Sequence, residues 1–93
     1  MDINKIRWSY AIARPSCPLE MELSVGPISP ERVRELLGGD YELIPLRDGT
    51  CLAALRDRFG LPSNNHYQHG INGPVLVGKM DGDQFVGALG VAL

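Results

Sequence analysis

Hydrophobic and polar residues alternate strictly in two segments near the start of the chain. Ile6, Trp8, Tyr10 and Ile12 alternate with Arg7, Ser9 and Ala11, and Leu19, Met21, Leu23 and Val25 alternate with Glu20, Glu22 and Ser24. A period of two places alternate side chains on opposite faces of a strand. Between them, Pro15 and Pro18 remove backbone donors and mark a connecting loop. Residues 5–25 are therefore predicted to form an antiparallel hairpin, with Lys5 and Arg7 facing Glu20 and Glu22 on its polar side.

After Gly26-Pro27-Ile28 the period changes. Ser29-Pro30-Glu31 is a helix start: serine accepts from free amides, proline fits the first turn, and the acid favours the positive end of the dipole. Val33, Leu36 and Leu37 form one apolar face, and Gly38-Gly39 ends the helix, which is predicted over Pro30–Leu37. A helix that short must lie on a sheet. Tyr41 to Leu46 and Thr50 to Leu55 read as a second hairpin (41–55) around Asp48-Gly49, a tight-turn signal.

Residues 61–72 are the one long polar, non-alternating stretch, expected as a loop or a short helix. Val75-Leu76-Val77 is a short continuous apolar run of the kind found in buried strands. Asp81-Gly82-Asp83 makes a turn, and Phe85 onward reads as a last strand, so that 74–93 holds the C-terminal strands. Phe85–Leu93 carries no polar side chain. A segment so apolar belongs in the core or against another subunit. The fold expected is α+β: a single domain over 1–93, with one antiparallel sheet of about five or six strands and one short helix packed on it. The apolar last strand points to a homo-oligomer, most simply a dimer.

Composition narrows the chemistry. The chain has 93 residues, 44% of them hydrophobic, and that suits one small soluble domain of about 12 Å radius of gyration. The net charge is −2; a nucleic-acid binder normally carries a basic stripe, so nucleic acid is not an expected partner. No apolar run reaches the ~20 residues of a membrane span, and no secretory leader is expected. Cys17 and Cys51 are too far apart in sequence for a metal knuckle and too few for a disulfide scaffold.

Several motifs resemble chemistry and fail on inspection. Gly73-Pro74-Val75-Leu76-Val77-Gly78-Lys79 has P-loop spacing, but Met80 stands where a magnesium-binding hydroxyl is needed. His66 and His69 would need a third zinc ligand, for which Asp81 and Asp83 are the candidates although they belong to a separate turn, so a hydrogen-bonded pair is the favoured reading; Asp81-Gly82-Asp83 is too short for a calcium loop. No nucleophile with a supporting base is apparent, so neither catalysis nor a cofactor is expected. Among the basic residues, seven of nine are arginine, the side chain that binds phosphate in a planar, bidentate manner. The candidate ligand site gathers Arg14, Arg47 and Arg56 for phosphate, Trp8 or Tyr67 for stacking on a base, and Asn64, Asn65 and His69 for polar contacts.

The order of motifs from the helix onward also carries a resemblance. Gly-Gly-x-Tyr-Glu (Gly38–Glu42), Pro-Leu-x-Asp-Gly (Pro45–Gly49), Leu-Pro-x-Asn (Leu61–Asn64) and an aliphatic strand from Gly73 to Gly78 follow one another. This pattern resembles a family of small domains of unknown function common in tailed-phage genomes and related mobile elements. The resemblance implies a small accessory protein acting in the cytoplasm of a bacterial host and countering its defences. Two stoichiometric tasks fit that context. The first expectation is sequestration of a small nucleotide-like signal; the alternative is inhibition or adaptation of a host protein.

Overall fold

Each alternating segment forms a strand, and the helix spans the predicted residues. The computed structural model describes residues 5–66 and 71–92. In chain order the elements are β1 (Ile6–Ala13), β2 (Glu20–Val25), α1 (Pro30–Leu37), β3 (Tyr41–Pro45), β4 (Thr50–Leu55), β5 (Val75–Asp81), β6 (Gln84–Gly87) and β7 (Leu89–Ala92). The class is α+β with one antiparallel sheet, but the strands number seven, not five or six. The path runs β2-β1-β5-β4-β3, with β6 beside β5 and β7 beside β1.

The extra strand comes from the apolar C-terminal segment, which breaks in two. β1 pairs with β5 only where Ala11–Ala13 meet Val75–Val77. Beyond that point the two strands part. β6 pairs along Gly78–Asp81 of β5, and β7 pairs along Ile6–Ser9 of β1, both antiparallel. The chain therefore runs into the fork along β5, bends at Ala88 and leaves along β1. Gly87 sits at the apex against β1: a Cβ there would lie 2.5 Å from the Ser9 carbonyl oxygen and 2.7 Å from the Ser9 nitrogen.

Helix α1 is capped as its sequence requires. Ser29 Oγ accepts from the Arg32 amide at 3.1 Å, and Gly38 adopts φ 91° and donates its amide to the Arg34 carbonyl at 2.7 Å. Its buried Val33 and Leu37 join Trp8, Tyr10, Ile12, Leu76 and Phe85 in the main core. Tyr10 ties the layers together: its hydroxyl accepts from the Ile28 amide at 2.9 Å and its ring tilts against Phe85 at 5.7 Å. Burial pushes the Tyr10 phenol up to about 12. A smaller cluster on the sheet's other face gathers Ala13, Ala54 and Val75 under Ile71.

The register of β1 against β2 corrects the expected arrangement of the first hairpin. Trp8 lies opposite Ser24, Tyr10 opposite Glu22 and Ile12 opposite Glu20; Arg7 lies opposite Val25, Ser9 opposite Leu23 and Ala11 opposite Met21. Residues directly opposite share a face. The apolar row of β1 thus faces the helix while that of β2 faces away from it. Lys5 and Arg7 do not meet the glutamates. Glu20 pairs with Arg14 at 2.8 Å and Glu22 with Arg32 at 2.9 Å.

Two measurements check this packing. Gly87→Ala forces backbone apart at the fork and is expected to lower stability by ~2–3 kcal/mol in urea unfolding. The neutral Tyr10 phenol is the form the fold favours, so its contribution is complete below pH 10.0 and is lost as pH rises toward about 12. Stability measured across that window should fall in the wild type, and fall less in Tyr10→Phe, which starts lower for want of the Ile28 contact.

Candidate functional site

The residues proposed from sequence do not share one site. Trp8 is only 5% exposed and packs into the core, with the Lys79 ammonium 5.3 Å from its ring centroid. Its indole N–H is buried and has no hydrogen-bond partner among the described residues. Arg14 lies just beyond the other end of β1, about 20 Å away at strand spacing, and is paired with Glu20. Arg47 is exposed in the β3–β4 turn, where Thr50 donates its amide and hydroxyl to Asp48 and holds that carboxyl below the usual range. Arg56 follows β4 at the opposite end from Arg47, again about 20 Å away. Tyr67 and His69 lie outside the described residues.

Asn64 and Asn65 come together with Arg14 around the β1–β2 loop, but as structural ties. Asn64 is fully buried; its Nδ2 donates to the carbonyls of Ala13 and Gly73, both at 2.9 Å, and its Oδ1 accepts from the His66 amide at 3.0 Å. Asn65 Oδ1 accepts from the Ser16 amide at 2.8 Å. His66 Nε2 lies 2.6 Å from the Cys17 carbonyl oxygen. Three successive side chains thus clasp the polar segment to the loop between β1 and β2. The sequence signal was present: a run of short amides between prolines and glycines is a source of local backbone hydrogen bonds.

A groove of about 700 Å³ lies between α1 and β3 and is lined by Pro30, Arg34, Asp40, Tyr41, Leu43 and Arg56 among others. Its cations are engaged. Arg34 stacks 5.9 Å over the Tyr41 ring and donates to Asp40 at 3.1 Å, while Arg56 Nε donates to the Tyr41 carbonyl at 3.0 Å. Cys51 is buried, which pushes its thiol up and away from reactivity; Cys17 is exposed. Among the described residues no group of three His, Cys, Asp or Glu side chains is placed to hold a metal ion. No helix among them is long and apolar enough to cross a membrane.

A different surface stands out, and it was hidden in the alternation. On the face of the sheet turned from α1, Leu19, Met21, Leu23, Val25, Leu89 and Val91 are each 58–64% exposed. The registers align them across strands: Leu23–Ser9–Leu89 and Val25–Arg7–Val91. The six side chains bare on the order of 600 Å² in two rows, with exposed Arg7 and half-buried Ser9 of β1 between them. The last strand accordingly splits its residues, with Phe85 and Val86 in the core and Leu89 and Val91 outside it.

The clasp is checked by comparing its members. Asn64→Ala strands two buried carbonyls and an amide and is expected to cost about 3 kcal/mol, whereas exposed Asn65→Ala should cost less than ~1 kcal/mol; denaturant midpoints measure both. No family model matches the chain, and neither a curated protein nor a solved structure matches it.

Proposed function

We propose that this chain is a protein-binding module that works stoichiometrically, as an inhibitor or adaptor, through the apolar face built by β2 and β7. One observation carries the reading. The register of the first hairpin turns Leu19, Met21, Leu23 and Val25 outward beside Leu89 and Val91, when a slip of one residue would have turned the β2 row inward. Apolar side chains exposed in such number on one face mark an interaction surface, here two rows with Arg7 and Ser9 of β1 set between them. The partner we propose, from the resemblance of the sequence to phage-associated domains, is a protein of a bacterial host. Nucleotide sequestration would need the arginines on one pocket, and the separation of Arg47 from Arg56 along β4 gives it less support.

The test compares wild type with Leu89→Lys, whose side chain is 64% exposed and whose replacement leaves the core intact. Affinity purification from bacterial lysate should retain a defined host protein on the wild type at least tenfold more than on the variant. Equal retention on both, or calorimetric binding of a nucleotide that Leu89→Lys does not weaken, overturns the reading.

A further inference from the structure

The face just described has an edge, and the edge is open. β2 is the first strand in the sheet order, with β1 on one side and, among the described residues, no strand on the other. Gly26 donates its amide to the Ile6 carbonyl at 2.9 Å. Bonded and non-bonded pairs alternate along an antiparallel ladder. Ser24 and Glu22 are therefore bonded to Trp8 and Tyr10, and Val25, Leu23 and Met21 turn their N–H and C=O groups away from β1. Glu20–Val25 contains no lysine, proline or bulge. Its two acids point to the helix side, where Arg14 and Arg32 hold them.

We propose that β2 is the seam of a twofold dimer, pairing antiparallel with β2 of a second copy with Leu23 on the axis. Charge selects this register. Centring on Met21 sets Glu20 against Glu22, and centring on Glu22 sets the two Glu22 side chains against each other. Like charges directly opposite are destabilising. Centring on Leu23 sets Glu22 against Ser24, pairs Met21 with Val25, and brings the open backbone groups of all three apolar residues into register. The seam lays the apolar rows of two copies side by side on one face of a continuous sheet. This inference uses the edge of β2, whereas the proposed function uses its face, so the dimer stands or falls separately.

Cross-linking reads the register directly, in a Cys17→Ser background that removes the exposed thiol. Two bonded residues on the axis have Cα atoms ~5.5 Å apart, within the 4.4–6.8 Å range of a disulfide. Leu23→Cys should thus form a disulfide-linked dimer on mild oxidation. Met21→Cys alone should not, because its two copies lie roughly 13 Å apart, but Met21→Cys mixed with Val25→Cys should. Leu23→Pro is the second arm. The Leu23 amide gives no bond to β1, so proline there removes only the seam contact. The wild type should sediment as a dimer at high micromolar concentration and Leu23→Pro as a monomer with unchanged Trp8 fluorescence. Cross-linking of Met21→Cys alone as fast as Leu23→Cys, a monomeric wild type without cross-links, or a dimeric Leu23→Pro overturns the proposal. Loss of the host protein from Leu89→Lys would stand under any of these outcomes.

Discussion

The pairing of β1 with β2 governs the rest of the molecule. Each strand has one apolar row, and their register puts the rows on opposite faces. Several contacts hold it there. Glu22 reaches Arg32 of the helix, Glu20 reaches Arg14, and Gly26 bonds to Ile6 where the chain leaves the sheet. Exposed ion pairs contribute little singly. Here they act with the loop at the other end of the hairpin, where Ser16 takes φ 59° and is tied down by Asn65. A shift by one residue would break all of these together and send the glutamates to the wrong face.

That arrangement divides the sheet into two regions with different tasks. Around α1, Tyr10 and Leu76 the layers are closed, and the Tyr10 hydroxyl that enters them accepts from the Ile28 amide. Along β2 and β7 the outward face has no covering layer among the described residues. Asn64 ties the polar 61–66 segment to the end of the sheet, at the carbonyls of Ala13 and Gly73.

Much of the fold was legible in the alternation and the caps. Helix α1 was readable from Ser29-Pro30 and Gly38-Gly39 because capping is a local property of the backbone. The strands were readable because period two is local as well. The exposed face was not, since an alternating strand shows that it has two faces without showing which is turned to the core. That choice depends on the partner strand's register. The split between β6 and β7 was hidden for a related reason: Gly87-Ala88 looks like any small-residue pair until β1 and β5 diverge around it. The candidate site failed on distance. Arginines at positions 47 and 56 are close in sequence, but the strand between them carries them to opposite ends of the sheet.

The V-shaped entry of β6 and β7 into the fork bears on how the molecule is made. β1 and β7 lie at opposite ends of the sequence described, yet the Ile6–Ser9 half of β1 gains a neighbour on its inner edge only from β7. Contacts of such long sequence separation form late. The docking of β6 and β7 into the fork is therefore a closing step, which brings Gly87 against Ser9 and fills the sheet from within.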